Sequence, residues 1–98
     1  MKVLVILAHP NNRSFNHAIA NSTVEALKTK GHEVIFHDLY KEKFDPLLPY
    51  EEIPESSRVD PVIQKFCAEL CAADGLIFFH PTCWGHPPAI LKGLIDRV

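Results

Sequence analysis

No apolar run in this sequence is placed to cross a bilayer. Residues 3–8 form the longest such run near the N-terminus, far short of the roughly 20 residues a spanning helix needs. The run is also short for the core of a signal peptide, and no small-residue cleavage site follows it. Charge of one sign is lacking as well. Ten Lys and Arg stand against twelve Asp and Glu, a net charge of −2, which offers no basic footprint for a nucleic acid or an anionic membrane surface. Cysteine is scarce and odd in number. Cys67, Cys71 and Cys83 give no disulfide framework of the secreted kind. There is no C-x-x-C or H-x-x-H pair, so no metal site is expected and Cys67 and Cys71 are expected to be buried. Repeats and low-complexity tracts are absent. These absences lead to the expectation of one cytoplasmic domain over residues 1–98, without nucleic-acid partner or membrane span.

What is present alternates between strand-like and helix-like segments. Residues 2–8 are a β-branched and Leu run, the pattern of a parallel strand covered on both faces. Turn residues follow, and Ser14 suits a helix N-cap. The helix face is predicted through Phe15, Ile19, Thr23, Ala26 and Leu27, close to a 3.6-residue period, with Gly31 just past its end. Residues 33–39 read as a second strand. Pro46, Pro49 and Pro54 interrupt residues 40–60, a long excursion of the kind found in lids, binding loops or disordered segments. Asp60 and Pro61 make a helix start, and Ile63, Phe66, Cys67 and Leu70 its apolar stripe. Residues 75–80 are a third buried strand, and Pro88 opens a last helix with Ile90, Leu91, Leu94, Ile95 and Val98 on one face.

The order β-α-β-α-β-α reads as an α/β fold with a doubly wound parallel sheet; right-handed crossovers place consecutive strands side by side or step over the first, and the flavodoxin-like order puts strand one between strands two and three, 2-1-3. The third strand then lies at an edge, yet Leu76, Ile77, Phe78 and Phe79 carry no edge protection. It reads as an interior strand whose neighbour is missing. The expectation is that the chain is part of a longer fold or is covered by another chain.

Open α/β sheets bind ligands beyond the carboxyl ends of their strands, where strand order reverses. Two loops border that crevice. The first, residues 9–16, feeds a helix N-terminus that favours an anion such as a phosphate, and Ser14 and Asn16 add polar groups. Having no glycine, it is neither a dinucleotide fingerprint nor a P-loop. A plain turn with a helix cap accounts for it equally, and His9 alone suits a structural histidine. The second loop, residues 80–88, is stiffened by prolines and carries Trp84, the single tryptophan. That side chain either packs on a ring system or plugs the end of the sheet. Cys83 has no partner that would activate it, and His80 and His86 alone do not make a metal site.

Together the loops resemble the NAD(P)H:quinone oxidoreductase family. The residues that carry the resemblance are Ala8-His9-Pro10 with Ser14-Phe15-Asn16, and Pro81 and Trp84 followed by Pro88-Ala89-Ile90-Leu91-Lys92-Gly93 and Asp96-Arg97-Val98. The second set is long and quite specific. The resemblance implies a flavodoxin-like fold, bound FAD (FMN in some relatives), a homodimer, and hydride transfer from NAD(P)H through the flavin to a quinone or similar acceptor. By the same resemblance His9, Ser14, Phe15 and Asn16 would hold the phosphate side of the flavin, and Pro81, Thr82, Cys83, Trp84 and Gly85 would line its ring. No catalytic side chain is assigned. Family chains are close to twice this length, so this chain corresponds to the N-terminal half and is expected to bind flavin weakly or not at all by itself. Gly85 stands where relatives often carry a second aromatic, and Thr82 and Cys83 where they often carry bulkier residues. The alternatives are a flavin-binding electron carrier, disfavoured by the lack of an acidic docking face, and a flavin-free interaction or regulatory protein, a role suggested by the likeness of potassium-efflux accessory proteins to this family.

Overall fold

The computed structural model describes residues 1–53 and 60–98. The expected break at Pro54 lies outside the described residues. The chain runs β1 (Lys2–Leu7), α1 (Phe15–Thr29), β2 (Glu33–Asp38), a short 3-10 turn (Tyr50–Glu52), α2 (Pro61–Ala72), β3 (Gly75–Phe79) and α3 (Ala89–Arg97). The strands form one parallel sheet in the order β2-β1-β3, as the sequence predicts. The second and third strands each end one residue earlier than expected.

β1 is the centre because it is apolar on both faces. Val3 to Leu7, and Ala8 beyond them, are all buried. Leu4, Ile6 and Ala8 point into a core completed by Leu39, Phe44, Ile63, Phe66, Leu91 and Leu94. The helix ends follow local chemistry. Ser14 caps α1 by accepting from the His17 N–H, Asp60 caps α2 by accepting from the Val62 N–H with Pro61 next, and Gly31 takes the positive φ of 84° that ends α1.

The predicted face of α1 has the right period and the wrong phase. Phe15 is 80% exposed, and Phe15, Ile19, Thr23, Ala26 and Leu27 line an open surface groove. The buried residue of α1 is Ala20, a small side chain that lets the helix lie close to the sheet. The cysteines also differ from expectation: Cys67 is half-buried, but Cys71 is exposed. Position 71 falls one turn beyond the part of α2 that is buried through Ile63 and Phe66.

The excursion after β2 is a strap held onto the core and onto α3. Phe44 is buried edge-on to Phe66. A Cβ at Gly93 would lie 2.2 Å from the Pro46 Cβ and 2.5 Å from its backbone, so the residue that a mid-helix glycine makes room for is Pro46. Further on, the Arg97 Nε and Nη2 donate to the two carboxylate oxygens of Glu52 at 3.0 and 2.9 Å, and Nη1 donates to the Asp45 carbonyl. Asp60 accepts from Nη2 at 3.2 Å. The hydrogen bond to Glu52 raises the guanidinium pKa, against the opposing effect of burial, and Asp60 adds to the rise. A second tie joins β2, the strap and α2. His37 lies between Glu42, 2.9 Å from Nδ1, and Glu69, 2.9 Å from Nε2.

β3 pairs with β1 on one side. Among the described residues nothing pairs with its other side, and Leu76 and Phe78 remain 43% and 40% exposed. With Leu70, Ile95 and Val98 they line an apolar hollow of about 210 Å3 between α2 and α3.

Candidate functional site

Parallel pairing brings the two loops together. Leu7 is in register with Phe79, and the Ala8 N–H donates to the Phe79 carbonyl at 2.9 Å. Both loops therefore leave the carboxyl edge of the sheet from adjacent strands, about 5 Å apart.

The first loop is tied by its own polar groups. His9 Nδ1 accepts from the Asn11 N–H at 3.0 Å, which leaves Nε2 as the protonated, donating nitrogen of the neutral ring. The Asn11 side chain accepts from the Arg13 N–H, and its carbonyl accepts from Ser14. The Ser14 Oγ accepts from the His17 N–H at 3.2 Å. Beyond that cap, the N–H groups of Phe15 and Asn16 have no partner among the described residues. They are two of the free donors that every helix start leaves, and they form the positive end of the helix dipole.

His17 was not singled out by the sequence and is the main addition. Its Nδ1 lies 2.7 Å from Ser14 Oγ and its Nε2 lies 3.1 Å from Asp38 Oδ2 at the end of β2. Both side chains of the His17–Asp38 pair are nearly buried, at 13% and 12% exposure. A histidine in the first turn after a capping serine was the available signal. Its partner on β2 was invisible without the fold.

The second loop is a tight reversal. Cys83 and His86 exchange two backbone hydrogen bonds, 2.8 and 3.0 Å. Between them Trp84 and Gly85 both have positive φ, 51° and 79°, as a type I′ turn requires. Gly85 adopts this freely; Trp84 does so at a cost of about 1–2 kcal/mol. Trp84 is fully exposed, so it does not plug the end of the sheet. Among the described residues nothing hydrogen-bonds the N–H groups of Thr82, Trp84 and Gly85, and Cys83 is an exposed free thiol. His80 is occupied by the Pro81 carbonyl at 2.9 Å. Pro81 is half-buried at the root of the loop.

The donor set fits a ligand with an anionic end and a flat ring with polar edges: helix-start N–H groups on one wall, and turn N–H groups with an open indole on the other. Among the described residues, no group of three or more His, Cys, Asp or Glu side chains is placed to hold a metal, and no helix is long and apolar enough to cross a membrane.

Comparison with known proteins identifies the fold and its relatives. A family described as having a flavodoxin-like fold matches residues 1–98. The chain is 40% identical over 116 residues to NAD(P)H dehydrogenase [quinone] 1 of Cavia porcellus, covering 99% of this chain and 42% of that protein. It is also 40% identical over 101 residues to an uncharacterized NAD(P)H oxidoreductase of Haemophilus influenzae, covering 100% of this chain and 50% of that one. Among solved structures, an NAD(P)H:quinone oxidoreductase from Methanothermobacter marburgensis superposes with a TM-score of 0.84 at 31% identity, covering 99% of this chain and 52% of that chain. The chain thus spans about half the length of the curated relatives it matches.

Proposed function

The chain belongs to the flavodoxin-like fold family, and from that premise we propose that it supplies the flavin-binding part of an NAD(P)H:quinone oxidoreductase. The observation that carries this reading is the pair of adjacent loops with unpartnered N–H groups at Phe15 and Asn16 and at Thr82, Trp84 and Gly85. Similarity to quinone reductases along the chain supports it.

In this reading residues 1–98 are one flavin-binding domain. Phe15 and Asn16 receive the cofactor's phosphate at the helix start, with Ser14 and the His9 Nε2–H as side-chain donors. The second loop receives the ring. Pro81 fixes its root, the Thr82, Trp84 and Gly85 N–H groups face the ring's polar edge, and Cys83 and the Trp84 indole border it. When bound, a flavin would supply the hydride chemistry between NAD(P)H and a quinone. The protein's part is to orient the ring and to set N–H dipoles where negative charge grows on reduction. FAD is the preferred cofactor and FMN the alternative, and a cytoplasmic homodimer is the working assembly; the free thiols suit a reducing compartment.

The test is a titration of the 15N-labelled chain with FAD and with FMN. Amide shifts confined to residues 9–16 and 80–88 are expected, followed by NAD(P)H oxidation on adding a quinone. A folded chain whose amides in both loops ignore saturating flavin overturns the reading. That result would favour the interaction or regulatory role, for which the exposed Leu76 and Phe78 beside the unpaired side of β3 are the supporting observation.

A further inference from the structure

Ser14 is placed to help hold a phosphate, yet its hydroxyl proton is already committed. A carboxylate only accepts hydrogen bonds, so at the 3.1 Å contact with Asp38 it is His17 Nε2 that carries a proton. In the neutral ring Nδ1 then has only a lone pair. At 2.7 Å from Ser14 Oγ it must accept the hydroxyl proton. The Ser14 oxygen in turn accepts from the His17 N–H. In this state Ser14 presents lone pairs, and no donor, to an anion at the helix start.

One added proton reverses the arrangement. With both ring nitrogens protonated, Nδ1 donates to Ser14 Oγ. The hydroxyl proton is released and can turn toward an anion seated on the Phe15 and Asn16 N–H groups. Resting on the flavin site proposed above, we infer that His17 is the positioning residue that sets the direction of the Ser14 hydroxyl, so that seating the cofactor's phosphate is coupled to uptake of one proton through Asp38, His17 and Ser14.

Other charged and titratable groups face His17. Asp38 belongs to β2. The His9 ring of the first loop stands edge-on with centroids 6.3 Å apart. Lys41 and Tyr40, from the turn after β2, line the same open hollow. Asp38 is the group in direct contact. A residue serving only to dock α1 on β2 would show the same distances without any linkage to ligand.

The experiment is histidine-ring 15N NMR on the full chain from about pH 5.5 to about pH 8, the range in which histidines change charge, with and without FAD. FAD is the probe because its pyrophosphate keeps its charge throughout, whereas the monophosphate of FMN titrates. FAD is expected to move the His17 midpoint upward. Between the free and the FAD-bound midpoints its dissociation constant should rise by up to about tenfold per pH unit, the limit for one linked proton. In Ser14→Ala the upward movement should shrink, which separates coupling through the hydroxyl from simple attraction between the ring and the anion. In His17→Gln, which cannot titrate, the pH dependence should flatten. If Phe15 and Asn16 amides report FAD bound while the His17 midpoint stays put, or moves equally in Ser14→Ala, the inference is overturned and the flavin site stands. If those amides do not respond to FAD at any pH, the flavin site itself fails and the inference with it. Should His17→Gln not fold, the wild-type and Ser14→Ala titrations decide alone.

Discussion

The two loops at the edge of the sheet are held by opposite means. The first is wired into its neighbours: Ser14 to His17, and His17 to Asp38 on β2, 21 residues away. The second makes its bonds within itself, between Cys83 and His86, and presents a fully exposed tryptophan. Its firmness comes from behind, where α3 is clamped to the strap by Arg97 and by the contact of Gly93 with Pro46. The difference teaches where precision is stored. The first loop depends on tertiary contacts for the direction of its donors. The second depends on turn chemistry for its shape and on a remote ion pair for its position.

That contrast can be broken most severely at the clamp. Arg97→Ala leaves Glu52, whose side chain is 1% exposed, as a buried charge without its bidentate partner. A loss of about 3–5 kcal/mol is expected, measured by urea unfolding, and replacing both residues with methionine should recover most of it. Gly93→Ala comes next. The added Cβ meets Pro46 backbone atoms at 2.5 Å, and backbone cannot swing aside. Overpacking of about 1–3 kcal/mol should exceed the gain of up to about 1 kcal/mol from helix propensity; a higher melting temperature would refute the close contact. Ser14→Ala, in the wired loop, should cost about 1 kcal/mol as a lost cap and weaken FAD binding as well. The smallest effect on stability is expected in the self-contained loop. Trp84→Gly removes a side chain from a positive-φ position and touches no core, so the fold should hold or gain about 1 kcal/mol. Flavin affinity should nevertheless fall about three- to tenfold. A marked loss of stability would show that Trp84 packs somewhere after all.

Much of this architecture was legible beforehand because it is written in local chemistry. The apolar run of β1, the caps at Ser14 and Asp60 and the glycine after α1 each act within a few residues, and the strand order is that of the flavodoxin-like fold the element order suggests. The family-like segment from Pro81 to Val98 pointed to the crevice. What escaped acts across the fold. Gly93 read as part of the family-like motif, and nothing near it in sequence named Pro46 as the residue it makes room for. Arg97 read as part of a motif, while its partner Glu52 lies 45 residues earlier in a segment that looked like plain loop. The phase of α1 was misjudged because the sheet takes the small Ala20 rather than Phe15, and hydrophobicity alone ranks those two the other way. His17 went unnoticed for the same reason: a polar residue near a helix start is ordinary until the strand supplying Asp38 is in place.

Trp84 has a consequence for how this protein can be watched. It is the single tryptophan and sits wholly in solvent, so its emission in the free chain is that of an indole in water. Melting the core around Ile6 and Leu91 would leave that signal almost unchanged, and an unfolding curve recorded by it would look flat. A ring closing over the loop, by contrast, would quench it directly. The chain thus carries an optical probe that is blind to its folding and sensitive to what occupies its crevice.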